Sequence, residues 1–385
     1  MAPVTTIARV EAWPVNVPLV ATYLMAPGVY PGMSRTVVRV TTDDGAVGLG
    51  ETPSPDDAAT IAELAPTLVG KDVDVLRADL GTRELPSATA RRDGKALAAR
   101  PLAGVEIALW DIAGRRADVP LFELLGGAVR TEIPLTEYFA YRQGREETPE
   151  AVAEECARLI DEHGSPWFEG KVGVRTPDED LRLVELVREA IGPERVLRLD
   201  ANMGWSVGTA RRMLAALAEH RIANVEEPVS AFADLARLRE TSAIPFSAHA
   251  ADVPRAAELG VPDTLVLGVG ACGGIEGTRR FVAACVEAGV GFWFYSGDLG
   301  IATAAQLHLT AAHAPLEQPS QTLLRWYADD VIAEGPFVPH RGHVTVPSGP
   351  GLGVTLDERA LERGTARFAR EGAYHLYSAP PLPHH

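Results

Sequence analysis

The chain is poor in cysteine, in basic residues and in long apolar runs, and each shortage excludes something. Its three cysteines, Cys156, Cys272 and Cys285, are an odd number without CxxC spacing. They outline neither a disulfide frame nor a zinc site, and they read as reduced, buried thiols of a cytoplasmic protein. Lys and Arg total 36 against 52 Asp and Glu, a net charge of −16, which argues against a nucleic-acid surface. No apolar run reaches about eighteen residues, so no membrane span is expected. The opening MAPVTTIARVEAW has no basic stretch followed by an apolar one, so a signal peptide is not expected either. The rest is ordinary for a globular protein: 46% hydrophobic and 23% charged over 385 residues, enough for two domains with a shared core.

The first forty-odd residues alternate as strands do. Residues 36–41, the turn Asp43-Asp44-Gly45 and residues 46–50 together predict a hairpin. Residues 56–128 read as helices, with 105–112 apolar enough for a buried one. Gly126 and Gly127 supply the left-handed stop. After about residue 131 the pattern alternates strand and helix. Strands are expected at 133–138, 167–172, 196–200, 222–226, 244–248, 264–268 and 291–295, and helices at 149–163, 206–220, 274–288 and 300–314. An eighth strand near 316–321 would close a (β/α)7β TIM-like barrel. Distinctive residues stand at strand ends 171, 200, 226, 249, 268 and 295, roughly one βα unit apart, on the rim where barrel enzymes place their chemistry. An open doubly wound sheet would gather them at one switch point instead.

Asp200 and Glu226 close consecutive strands, and His249 follows the next. Three such groups can meet around one cation; hard oxygen ligands favour Mg²⁺ or Mn²⁺, and an imidazole shifts preference towards a transition metal. Taken singly, each carboxylate is more often a helix cap or an arginine partner. Lys171, one unit earlier, is a candidate general base, since a nearby cation and desolvation both favour its neutral form. The bland alternative is a rim lysine in a salt bridge. Glu169 lies on the same side of the strand, where it would raise the Lys171 pKa, add a metal ligand or pair with Lys171.

These residues carry a resemblance. The chain is similar to the enolase superfamily, of the mandelate racemase and muconate lactonising type, over nearly its whole length. The hairpin 41–51, the helical stretch 108–114 with Pro120-Leu121 and Leu124-Leu125-Gly126-Gly127, Leu199-Asp200-Ala201-Asn202, Glu226-Glu227-Pro228 and the tail 347–353 resemble its motifs in order. The resemblance implies an α+β capping domain (1–130), a barrel (131–345) and a tail returning to the cap (346–385). It also implies Mg²⁺ and abstraction of the proton alpha to a carboxylate. Within the family, 25–30 followed by Ser34-Arg35 is similar to the glucarate dehydratase group, whose capping loop, here 22–34, selects the substrate. Tyr30 and Arg35 are then its expected polar contacts, beside Glu169, Asn202 and Gln321.

The departures shape the expected reaction. The second-strand Lys-x-Lys reads Glu169-Gly170-Lys171, and the Asp–His dyad of the sixth and seventh strands is replaced by Gly268 and Tyr295. That leaves Lys171 as a single base and Tyr295 as a phenol able to protonate a leaving hydroxyl. An acid-sugar dehydratase is the leading expectation. A racemase, epimerase or cycloisomerase, or a non-catalytic binding descendant, are its alternatives. The literal GxGxxG at 268–273, with Asp298 beyond it, is a weaker sign of a dinucleotide site. The expected partners are a small carboxylate substrate and other copies of the chain.

Overall fold

The computed structural model describes residues 4–82, 101–295 and 297–374. Two long antiparallel strands, β1 (Ile7–Met25) and β2 (Gly28–Thr42), open the chain, and β3 (Val47–Thr52) adds to β2. Alternation puts Val10, Val38 and Val40 on one face, where they meet Ile61, Leu76, Val105 and Leu109 of the helices. Those helices are α1 (Asp57–Leu68), α2 (Val73–Thr82), α3 (Pro101–Ala117) and the short α4 (Leu121–Leu124). The part of the expected helical region at 83–100 lies outside the described residues. Two glycines let α3 and β3 touch: a Cβ on Gly50 would stand 1.8 Å from the carbonyl of Gly104.

The capping loop expected at 22–34 is a correction, because these residues are the end of the β1–β2 hairpin and turn only at Ala26-Pro27. Tyr23 pairs across it with Tyr30, ring centroids 5.5 Å apart and edge to face. Such a cross-strand aromatic pair stabilises a hairpin by roughly 0.2–1 kcal/mol.

The barrel follows in strand–helix order. The expected first strand is split: β4 (Glu132–Pro134) turns away to pair with a later strand, and β5 (Glu137–Phe139) enters the sheet. Then come α5 (Pro149–His163), β6 (Trp167–Lys171), α6 (Pro177–Ile191), β7 (Val196–Asp200), α7 (Val207–Leu217), β8 (Ile222–Glu226), α8 (Phe232–Arg239), β9 (Phe246–Ala248), α9 (Val253–Leu259), β10 (Thr264–Leu267), α10 (Ile275–Ala288), β11 (Gly291–Phe294) and α11 (Gly300–Ala312). The described strands β5 to β11 make a seven-stranded parallel sheet in chain order, curled as a TIM-like barrel. No eighth ladder forms at 316–321. Pro319 removes a donor there, and only a single bridge joins Ser320 to Leu135. The segment still reaches both edges. Thr136 N–H donates to Ser320 O at 2.9 Å, and Gln321 N–H donates to Phe294 O at 3.0 Å.

The last elements are β12 (His343–Thr345), antiparallel to β4, and α12 (Glu358–Glu371), which packs on β1. Between them Leu352 N–H donates to Asp111 of α3 at 2.7 Å. Two cap carboxylates seat on barrel helices. Glu106 accepts from Ile275 and Glu276 at the start of α10, and Glu51 accepts from Leu299 and Ala302 at the start of α11. Each meets free N–H groups and the positive end of a helix dipole. None of the described helices is long and apolar enough to cross a membrane.

Candidate active site

Alternation along β6, β7 and β8 turns Glu169 and Lys171, Arg198 and Asp200, and Asn224 and Glu226 to the barrel interior. Lys171, Asp200 and Glu226 are register partners on adjacent strands, all buried. Lys171 Nζ stands 2.5 Å from Asp200 Oδ2. Asn202, held at φ +44°, donates its backbone N–H to Asp200 Oδ1 at 2.8 Å and its amide to Oδ2 at 3.1 Å. Glu226 accepts from Gln321 Nε2 at 2.7 Å and from Ser247 Oγ at 3.3 Å. Gln321 Nε2 also donates to Glu169 at 2.5 Å.

Glu169 is not the partner of Lys171. Its ion pair is with Arg198, 3.0 Å away, and the Arg198 guanidinium lies 4.2 Å over the Trp293 ring. Lys171 therefore belongs to Asp200, and Arg198 to Glu169. Three buried carboxylates share two cations. Burial first, then the charges of Asp200 and Glu169, push Glu226 well above the usual carboxylate range. Burial also raises Glu169, against the pull of Arg198.

Asp200 and Glu226 suit a divalent cation: adjacent, oxygen-bearing and with more negative charge than the local cations balance. The expected third ligand is not with them. His249 bonds through its backbone N–H to Glu227 at 3.3 Å, and its ring stacks on Tyr295 with centroids 4.8 Å apart. Among the described residues no three His, Cys, Asp or Glu side chains come together as a metal-ligand group. The carboxylate pair fits the metal; the imidazole, as placed, does not complete it. Beside His249 a cavity of about 320 Å³ opens between the β8 and β9 ends, lined by Glu227, Phe232, Asp252 and Arg255 among others.

The hairpin and the far wall enclose Tyr30 and Arg35. Tyr30 is buried and its phenol is pushed up to about 12, first by burial and then by Tyr295. Arg35 does not face an open site. It is 4% exposed and donates to Ser34 O at 2.9 Å, Pro53 O at 3.2 Å and Gly297 O at 2.5 Å, with Glu51 and Asp298 at 4.0 and 3.9 Å. Carbonyls of the cap–barrel joint hold its terminal nitrogens, and two carboxylates stand near its Nε, so it fastens the joint and does not clamp a distal carboxylate. The GxGxxG turn is not a dinucleotide site: the α10 N–H groups that would meet a pyrophosphate are held by Glu106, and Gly270 packs on Pro53. Reading the sequence missed Arg198, Ser247 and Tyr23. Arg198, two residues before Asp200 and so on the same face, was within reach of the alternation rule.

Residues 4–126 match the mandelate racemase / muconate lactonizing enzyme N-terminal domain, and residues 151–360 match the enolase C-terminal domain-like family. The chain belongs to the enolase superfamily. It is 32% identical to a chloromuconate cycloisomerase of Pseudomonas putida over 83% of this chain and 89% of that one. It is 28% identical to a probable glucarate dehydratase of Streptomyces coelicolor over 86% and 84%. A solved enolase-superfamily structure from Thermobispora bispora, complexed with magnesium and formate, superposes with TM-score 0.85 at 29% identity, covering 96% of this chain and 94% of that one. As an enolase-superfamily member the protein is an enzyme of the lyase or isomerase type.

Proposed function

We propose that the protein is an acid-sugar dehydratase in which Lys171 removes the proton alpha to the substrate carboxylate. The observation that carries this is the convergence of Lys171, Asp200 and Glu226 on three consecutive strand ends in one buried mouth. Asp200 and Glu226 would hold a divalent cation, Mg²⁺ or Mn²⁺; His249 joins them only if its ring leaves Tyr295. Bound there, the cation would offset both carboxylates and stabilise the charge that develops on the substrate carboxylate.

The chain's own groups do the rest. Asn202 orients Asp200, and Gln321 ties Glu226 to Glu169. Lys171 stands against Asp200 at the strand end, where its amine can reach the alpha proton of a substrate carboxylate held in the mouth. Tyr23 and Tyr30 on the hairpin exclude water above the mouth, and Tyr295 lines it beside Gln321. A cycloisomerase is favoured by one observation, the 32% identity to chloromuconate cycloisomerase. It would use the same lysine but yield a lactone in place of a 2-keto acid.

The test is ¹H NMR in D₂O with Mg²⁺, over a panel of aldonic and aldaric acids and cis,cis-muconate. The expected result is loss of the alpha-proton signal and formation of a 2-keto acid, both abolished in Lys171→Ala. Lactone from muconate with no reaction of any acid sugar would select the cycloisomerase.

A further inference from the structure

The far wall of the mouth holds a carboxylate that no role above uses. β10 is four strands on from β6 in the chain-ordered sheet, half-way round a barrel ring, which puts Gly268, just past β10, on the wall opposite the one that carries Lys171. Pairing of Val266 with Trp293 shows that Gly268 and Tyr295 both continue the inward rows of their strands. Gly268 contributes no side chain, and a Cβ there would stand 3.1 Å from Asp298 Oδ2. Asp298, three residues past Tyr295, fills the space.

Its placement is built. Asp298 is 6% exposed, Arg35 Nε stands 3.9 Å from Oδ1, and Tyr327 donates to its backbone carbonyl at 3.0 Å. Oδ2 makes no hydrogen bond among the described residues. Buried polar atoms are nearly always paired, so among the described residues Oδ2 is the oxygen left open to a proton or a ligand at the site mouth. Asp298 also lines a cavity of about 10 Å³ with Tyr295 and Gln321. Gln321 is the side chain that bonds Glu169 and Glu226, so this cavity adjoins the wall that carries Lys171.

The geometry points to Asp298 as the acid–base group acting on the substrate from the side opposite Lys171, in the space that Gly268 leaves. The inference rests on the dehydratase reading. Lys171 takes the proton from the alpha carbon, and the C–H electron pair passes reversibly into the substrate carboxylate; it then becomes the new C–C double bond as the beta C–O bond breaks. The proton of the Asp298 carboxyl passes to the departing oxygen, which leaves as water. The enol then becomes a 2-keto acid by moving its own proton from oxygen to carbon. Asp298 is left as a carboxylate beside Arg35 and Lys171 as an ammonium; water takes the proton of one and resupplies the other. Burial raises the Asp298 carboxyl, opposed by Arg35, which suits a group that holds a proton until it is needed. Elimination is then anti, where a single base on one face would have made it syn.

The test compares the parent, Asp298→Asn, Asp298→Ala and Lys171→Ala with Mg²⁺ and the acid-sugar panel in D₂O. Alpha exchange and keto-acid formation are followed separately. Asp298→Asn is expected to keep alpha exchange and lose keto-acid formation by about 10²- to 10⁴-fold, the usual contribution of a general acid. Retained exchange shows that the variant is folded. Added formate should restore part of the loss in Asp298→Ala. Keto-acid formation at the parental rate in Asp298→Asn, with Lys171→Ala inactive, would overturn this role and leave the proposed function standing. Loss of both signals in Asp298→Asn, with no formate rescue of Asp298→Ala, would also overturn it and make Asp298 a structural partner of Arg35. A parent silent on every acid, or fully active as Lys171→Ala, would overturn both readings.

Discussion

The two walls of the barrel mouth are built by different means. On the β6–β8 wall the charges sit on the strands themselves: Lys171, Asp200 and Glu226 are register partners, and Glu169 and Arg198 lie one alternation below. On the β10–β11 wall the strands offer only Gly268 and Tyr295, and the charges arrive from elsewhere. Asp298 comes from the loop after β11, Arg35 from β2 and Glu51 from β3. The first wall is a property of parallel pairing. The second exists only while the cap is docked, because Arg35 and Glu51 are cap residues. The first wall should therefore govern chemistry, and the second should couple chemistry to cap stability.

Substitutions can break or sharpen that contrast. The largest effect should be Lys171→Ala, which removes the only amine of the first wall and should slow alpha exchange by about 10²- to 10⁴-fold in the NMR assay. Lys171 is also the buried partner of Asp200, so the variant should lose some stability as well. On the second wall the main loss should be of stability. Arg35→Met leaves Glu51, Asp298 and three carbonyls without their shared cation, a loss of roughly 3–5 kcal/mol for a buried pair broken from one side. Denaturant unfolding measures it, and a change within error would mean that the joint does not depend on Arg35.

Smaller effects separate the walls further. Asp200→Asn should weaken Mn²⁺ binding by about 100-fold or more, read by electron paramagnetic resonance, because even outer-shell partners of metals are worth 10- to 100-fold. Arg35→Met should leave Mn²⁺ affinity unchanged at temperatures where it is folded. The smallest is a pH effect on the second wall. Glu51 is raised to about 8, first by burial and then by the Asp298 charge. Its folded value lies above the unfolded one near 4.5, so its contribution to stability is full below that and is lost as pH rises through about 8. The slope would be at most ~1.4 kcal/mol per pH unit. Glu51→Gln should flatten a plot of melting temperature against pH between 5 and 8, and an unchanged slope would assign the titration to another group.

Part of the molecule is legible in its sequence alone. The spans 196–200 and 222–226 coincide with β7 and β8, and 149–163 with α5, because an apolar strand closed by a carboxylate and a Thr-Pro helix start are local signals. Lys171, Asp200 and Glu226 follow from them. The eighth strand is not legible, since 316–321 has strand-like composition but Pro319 breaks its ladder and tertiary bridging replaces it. His249 counts as a ligand by its spacing, which does not reveal that its ring stacks on Tyr295. Asp298 can be named in the sequence, but nothing local ties it to Gly268, thirty residues earlier.

Alternation and the βα repeat by themselves determined the barrel and one wall of its mouth, because strand periodicity and parallel register are short-range consequences of backbone geometry; the family was legible through its motifs, such as Leu199-Asp200-Ala201-Asn202 and Glu226-Glu227-Pro228. Which cation answers which carboxylate was decided only in the tertiary structure. Lys171 and Glu169 are two residues apart on one strand, yet they take partners from the next strand. Arg35 reaches Asp298 only because the cap is seated on the barrel by Glu51 and Glu106. Charge pairing depends on distances of a few ångströms across the fold, and separation along the chain carries no record of them.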